Sequence, residues 1–379
     1  MATTFAADIE FLSQHTKLVV LGARRPALVA VAPAWQGRIM TSTPGGKTGP
    51  SLGWINRPFI AGGQRGLVFD NYGGEDRFWL GPEAGQFGLW FQPGEPFDLA
   101  HWKTQAGLNT GEFAVTSQGP ASIALAARFD VTNASGTTFQ VAVKRVIDVL
   151  PRDEMAAHLG ASVPRGVSPV AFSSTNELAN VGPTVWSRET GLLSVWTLGQ
   201  FNPLPRGLVI VPFLEGADSG PMPTGEYFGK VPAERYFVRD GHIFFRCDGA
   251  FRSKLGVPPG RAKRVLGSYD PDAQMLTIVQ FNLPSAAGKL PYVNSQWERQ
   301  RQPFVGDVVN SYNDGAAKSG PSPAAFYELE TSSPAAELAP EESVTHVHRT
   351  YHFSGDPGKL NTLARKVLGV DLNDVHWPG

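Results

Sequence analysis

The chain has 379 residues and a formal net charge of −1, long enough to bury a sizeable core. No basic stripe is present to neutralise phosphates, and no apolar run reaches the ~18 residues of a membrane-spanning helix, so neither a nucleic-acid partner nor a membrane span is expected. Glycine (42) and proline (31) are abundant, yet so are Phe (23), Trp (9) and Tyr (8); this excludes a disordered Gly/Pro-rich chain and favours many short strands joined by turns.

In chain order, FAADIEFLSQHT (5–16) has apolar residues at helical spacing and predicts a short opening helix. No basic segment followed by an apolar one precedes it, so the expected location is the cytoplasm, or the periplasm or exterior if a signal has been removed. Alternating runs then recur between Gly, Pro, Asn and Asp turns: KLVVLG, ALVAVAPA, SIALAARFDV, TTFQVAVKRVIDVLPRD, LLSVWTL, LVIVPFL, HIFFRCDG, QMLTIVQFNL and SVTHVHRTYHF. TTFQVAVKRVIDVLPRD is long enough for a central strand. Cys247, in HIFFRCDG, is the single cysteine and reads as a buried thiol. GAAKSGPSPAA (315–325) reads as a loop, not a domain boundary. PGKLNTLARKVLGVD (357–371) predicts the best helix, over about 357–369, with Pro near its start and Gly369 near its end. Helices do not alternate with strands, so the chain is expected to be all-β, a single domain over 1–379 with few short helices.

Three stretches carry chemistry. In NYGGEDRFWLGPEAGQFGLWFQPG (71–94), Arg77 and Trp79 fall on one strand face, Phe78 and Leu80 on the other. Trp and Arg beside Glu75, Asp76 and Glu83 suit a sugar, which offers an apolar face for stacking and hydroxyls for polar groups. An internal salt-bridge network pinning a hairpin would gather the same charges. In YVNSQWERQRQPFVGDVVNSYNDG (292–315), Glu298 and Gln300 share one strand face and Trp297 takes the other, as a strand entering a polar site would, or as a solvated edge would. In FYELETSSPA (326–335), Glu328 and Glu330 share a face; in SVTHVHRTYHF (343–353), His346, His348, Thr350 and His352 do. The common phasing places the histidines on the same cleft as the two glutamates. H-x-H on a strand can bring two imidazoles to a metal, so His346, His348 and His352 are metal candidates; hydrogen-bonding strand histidines are the alternative. No cofactor is required, and a divalent metal is the one these histidines would allow.

These residues resemble the galactose-mutarotase-like (aldose 1-epimerase-like) superfamily, and most closely a bacterial family of unassigned function within it. The superfamily pattern E-x-Q-x-x-P is matched by Glu298, Gln300 and Pro303, with Asn310 following; LAPEES (338–343) and TYHF (350–353) match its closing elements. STNELANVGPTVWSRETGLLSVWTLGQFNP (174–203) is similar to the segment where epimerases write N-x-L-T-N-x-G and a following strand. GGEDRFWLGPEAGQF, VNSYNDG and FYELE are similar to the closer family. Two family histidines are replaced: Gly73–Asp76 stand at the first and Trp196 near the second, so the general acid is missing or comes from His346 or His348.

The resemblance implies a β-supersandwich of two large antiparallel sheets with a sugar or oligosaccharide in a concave cleft. It implies an epimerase-like enzyme with Glu298 as base; His348 as a replacement acid and Glu330 as a partner carboxyl complete the expected catalytic residues. Arg77, Trp79, Glu75, Asp76, Trp196, Gln300, Asn313, Glu328 and His346 form the expected substrate-binding set. A glycoside hydrolase or lyase using paired glutamates, with or without a metal, is a second expectation, and a non-catalytic carbohydrate-binding protein a third.

Overall fold

The computed structural model describes residues 3–22, 26–63, 65–66, 68–109, 111–216, 219–315 and 325–375. Residues 316–324 of the loop expected at 315–325 therefore lie outside the described residues.

The alternating runs form three antiparallel sheets. The largest has ten strands. Val265–Asp270, Met275–Phe281, Ser343–Ser354, Ser168–Asn180 and Thr138–Val149 are consecutive neighbours in it. The five-stranded sheet runs Ser253–Val257, Val309–Asn313, Tyr327–Ser332, Ser194–Phe201, Arg77–Gly81. A three-stranded sheet of Val19–Leu21, Leu28–Ala32 and Arg38–Thr43 joins the last of these through the Ile39–Asp76 bridge. The Thr138–Val149 strand is interior to its sheet but third from one edge, not at the centre.

Alternation of side chains packs the two large sheets together. Phe78, Leu80 and Val195 of the five-stranded sheet meet Val141, Val143, Ile147 and Phe172 of the ten-stranded one. Each such buried side chain contributes roughly 1.5–3 kcal/mol. The outer face of the large sheet is covered by the Pro357–Val367 helix, whose Leu360, Leu363 and Ala364 pack on Ile278, Tyr351 and Phe353. Asp356 caps that helix by accepting from the Lys359 amide, with Pro357 in its first turn. The opening helix spans Phe5–Ser13. Cys247 is fully buried. Among the described residues, no helix is long and apolar enough to cross a membrane.

A polar network also lies between the sheets, and it corrects several expectations. Asp76, with no exposed surface, pairs with the equally buried Arg145 and accepts from Ser174 Oγ at 2.7 Å. Arg145 also donates to Asn176 Oδ1 (2.8 Å) and to the Gly37 carbonyl (3.2 Å). Glu75, likewise buried, accepts from the Ser42 amide and hydroxyl and from His352 Nε2 at 2.9 Å. Thr277 holds the other ring nitrogen of His352. His346 Nε2 and His348 Nδ1 converge on a single hydroxyl, Thr331 Oγ1, at 2.7 and 2.8 Å. One hydroxyl can donate to one nitrogen and accept from the other, an arrangement that suits two neutral rings of complementary tautomers. Burial enforces this, pushing His346 down to about 3 and His348 to about 4.

Glu75, Asp76, His346, His348 and His352 therefore brace the sandwich and do not line a cleft. Period-two alternation correctly places the histidines together, but on the interior side. Thr331, which meets them, faces inward, whereas Glu328 and Glu330 point to the opposite side of the same strand. Among the described residues, no three His, Cys, Asp or Glu side chains gather as a metal site requires.

Asp76→Asn leaves Arg145 charged and without its carboxylate in a site that water does not reach. The expected cost is about 3–5 kcal/mol of folding stability, measured by urea unfolding; a loss under about 1 kcal/mol would show that the pair does not tie the sheets.

Candidate functional site

The outward face of the five-stranded sheet forms the floor of a cleft of about 450 Å³. Gly73 positions its edge strand. At a φ of 91° the chain runs so close to Trp54 that a Cβ would lie 2.1 Å from that carbonyl oxygen, a path only glycine takes without strain. From there the chain enters the Arg77–Gly81 strand, and alternation sends Arg77 and Trp79 into the cleft while Phe78 and Leu80 go to the core.

The pairing register composes the floor. Trp79 lies opposite Trp196, and Arg77 opposite Leu198. Glu330 lies across from Leu198 and Glu328 from Gln200. Tyr312 follows Glu328, and Lys254 follows Tyr312. Two ion pairs cross this surface: Arg77 Nη2 to Glu328 Oε1 at 3.0 Å, and Lys254 Nζ to Glu330 Oε2 at 2.9 Å, all four side chains nearly buried. Trp196 Nε1 donates to the same Glu330 oxygen at 2.9 Å. Glu330 is fully buried beneath Trp196 and Lys254 and does not itself line the cleft.

Aromatic rings wall the site. Trp79, Trp102, Trp196 and Trp297 line it, with Phe69, Phe228 and Phe326. Arg77 sits 3.8 Å over the Trp79 ring. The indole N–H groups of Trp79, Trp102 and Trp196 are each bonded, to Leu108 O, Glu83 Oε1 and Glu330 Oε2, so the rings are fixed in orientation. Arg252 stands at the rim, 4.0 Å over Phe228.

Low polarity and crowded charge shift the titrating groups. Burial pushes the Glu328 carboxyl up, to about 7, against the pull of Arg77 and with Glu330 adding repulsion. Burial also raises Glu83. For Lys254, burial opposes the charged form, but Glu330, Glu83 and Glu328 together outweigh it and raise the ammonium. Behind the floor, Asp307 is raised by burial to about 6, against its bond to Tyr227 and the charge of Lys254.

Of the residues expected from the sequence, Arg77, Trp79, Trp196 and Glu328 meet at the cleft, with Glu330 directly behind. Glu298 does not. It is exposed, it is absent from the cleft lining, and residues 293–304 around it form no strand. Gln300 is occupied as a brace: its Nε2 donates to the carbonyls of Gln296 (2.8 Å) and Asn294 (3.1 Å). Asn313 is buried and holds the 249–251 turn through Gly249 N and Phe251 O. Sequence reasoning missed Lys254, Gln200 and Tyr312. Lys254 carried a signal, a lone cation in the otherwise apolar run KLGV; Gln200 carried none.

Because the folded state holds the Glu328 proton and the unfolded chain releases it near 4.5, this group makes stability fall as pH rises from about 4.5 to 7. Glu328→Gln removes that slope. Relative to the parent, the variant should gain up to about 1.4 kcal/mol per pH unit across this window, whatever its fixed offset. Urea midpoints of both proteins at several pH values check it; parallel curves would refute the shift. Lys254→Met should cost about 3–5 kcal/mol by stranding Glu330, and Glu330→Gln in the same chain should restore much of the loss.

No curated protein matches the sequence. Among solved structures, the Slr1438 protein from Synechocystis sp. PCC 6803 overlays 90% of this chain and 96% of its own, at a TM-score of 0.50 and 12% identity. A galactose mutarotase-like protein from Lactobacillus casei ATCC 334 covers 89% of this chain and 100% of its own, at 0.49 and 9%. A galactose mutarotase related enzyme from Lactobacillus acidophilus covers 90% and 99%, at 0.49 and 8%. The likeness to the Synechocystis protein is one of fold, a large antiparallel β-sandwich. A family profile matches residues 3–377, nearly the whole chain, and the protein belongs to that family, the family of unknown function DUF6786.

Proposed function

We propose that the cleft binds a carbohydrate and that Glu328 transfers a proton at its anomeric centre, in an epimerase-like reaction. The observation that carries this reading is a carboxyl raised by burial to about 7, held by Arg77, in a cleft walled by fixed tryptophans. An indole face stacks on the apolar side of a pyranose, and Arg77 and Lys254 meet its oxygens. A carboxyl poised near neutral pH supplies both its proton-accepting and its proton-donating form. Ionised Glu328 would take the proton of the anomeric hydroxyl as the bond from the anomeric carbon to the ring oxygen breaks. The electron pair passes to the ring oxygen, which takes a proton from a water molecule in the cleft; the resulting hydroxide is neutralised by the proton held on Glu328, and the open aldehyde recloses as either anomer.

A second, half-buried and upward-shifted carboxyl in the lining, Glu83, favours one further reading: glycoside cleavage by paired acids. The two differ in product. Anomer exchange on free aldohexoses, followed by NMR, marks the first; release of new reducing ends from oligosaccharides marks the second.

Glu328→Gln should lower the rate of anomer exchange by about 10²–10⁴-fold, while Glu298→Gln, outside the cleft, leaves it unchanged. Unaltered exchange in the Glu328 variant, or collapse in the Glu298 variant, would overturn the assignment.

A further inference from the structure

Gln200 occupies an unusual position in the cleft floor. It lines the cleft, is 1% exposed, and lies directly opposite Glu328 in the pairing register. Neither its amide oxygen nor its amide nitrogen has a hydrogen-bond partner among the described residues. The neighbouring Arg77 guanidinium uses Nη2 on Glu328, whereas its Nε and Nη1 are buried and unpartnered. Buried polar groups left in this state destabilise the fold unless a ligand or water completes their hydrogen bonds. The indoles of Trp79 and Trp196, Lys254 and Tyr312 have partners; Asn71 Oδ1 and Trp297 Nε1 of the lining also lack one, but Gln200 and Arg77 are the two that stand directly beside Glu328.

We infer that Gln200 and the open edge of Arg77 form a hydroxyl-reading subsite that selects a neutral sugar bearing two adjacent hydroxyls beside Glu328. The inference rests on the carbohydrate reading above and deepens it. The amide presents one acceptor and one donor atom side by side, and a hydroxyl both donates and accepts. One hydroxyl donates to Gln200 Oε1; its neighbour accepts from Nε2 and from the guanidinium. A carboxylate or phosphate fits poorly, because it would face the Gln200 carbonyl oxygen and the Glu328 carboxyl together. A site whose polar groups await hydroxyls rejects an analogue lacking one, since its own atoms are then buried unpaired. Gln200 is thus a specificity-determining residue, placed so that the diol it holds lies next to the group that moves the proton.

The test uses the full chain and, as probes, D-glucose, D-galactose and their monodeoxy analogues, with binding read by saturation-transfer NMR and intrinsic tryptophan fluorescence. The variants are Gln200→Met, close in shape, and Gln200→Leu. The parent protein should bind at least one hexose and lose about tenfold or more in affinity for one monodeoxy form. In both variants, affinity for the hexose should fall about tenfold, and the hexose-to-deoxy ratio should shrink below about threefold. The melting temperature should hold or rise, because the variants remove unpartnered polar atoms. Variants that keep the ratio would overturn the subsite while leaving the carbohydrate reading intact. A large fall in melting temperature with unchanged affinity would make Gln200 a structural brace. A parent protein that binds none of the probes would overturn both readings.

Discussion

The buried pair between Asp76 and Arg145 sets the terms for everything on either side of it. Two charges without solvent persist in a sandwich interior only when each is nearly saturated with hydrogen bonds, which here come from Ser174, Asn176 and the Gly37 carbonyl. Ser174 and Asn176 lie on the Ser168–Asn180 strand of the ten-stranded sheet, Arg145 on the neighbouring Thr138–Val149 strand, and Gly37 beside the three-stranded sheet, so the pair fixes the height and rotation of the chain at residue 76. The next residue must then point the other way. Arg77 reaches the cleft because Asp76 is held in the core, and a one-residue slip would exchange their places and break both networks.

The same lever works at the far side of the sheet. Thr331 is held from within by His346 and His348, and this presents Glu330 and Glu328 outward on either side of Leu329. Two interior anchors thus define the spacing of the Arg77–Glu328 and Lys254–Glu330 pairs on the outer surface. The cleft gathers cations and carboxyls in nearly equal number, and burial raises its Glu328 carboxyl to about 7. Such a surface has many hydrogen-bonding directions and little net field. It suits a neutral polyhydroxylated ligand better than a strongly charged one, in keeping with the function proposed for it.

Alternation in the sequence was enough to read the strands, the all-β class, and the division of Arg77 and Trp79 from Phe78 and Leu80. It says which residues share a face, not which face looks out, and here polar side chains also stand on the inward side of the sandwich, with His346, His348 and His352 on the ten-stranded sheet and Thr331 on the five-stranded one. That ambiguity is why the histidines, Glu75 and Asp76 read as cleft residues: a sandwich with a charged interior has the same sequence pattern as one with a charged groove. Glu298 failed for another reason. Its spacing to Gln300 and Pro303 matches a family motif, but Gln300 spends its amide on main-chain carbonyls, and the segment closes into a loop with Glu298 facing water. Gln200, in SVWTLGQF, and Lys254, in SKLGV, sit in runs that are buried throughout, so only the register across strands brings them beside Glu328 and Glu330.

The interior and the cleft also oppose each other in their response to pH. His346 and His348 stay unprotonated in the fold while the unfolded chain takes up protons below about 6.5; they make stability rise with pH from about 4 to 6.5. Glu328 and Asp307 keep protons that the unfolded chain gives up, and make stability fall over much of the same range. Between about 4.5 and 6 these four groups act as two opposing pairs, each group with a slope of up to about 1.4 kcal/mol per pH unit, so the contributions of these four nearly cancel. A cleft carboxyl can then be poised close to neutrality, as proton transfer requires, without making the fold of the whole molecule steeply dependent on pH. The histidine-lined core that looked like a metal site is, in this sense, the counterweight that lets Glu328 keep an unfavourable environment.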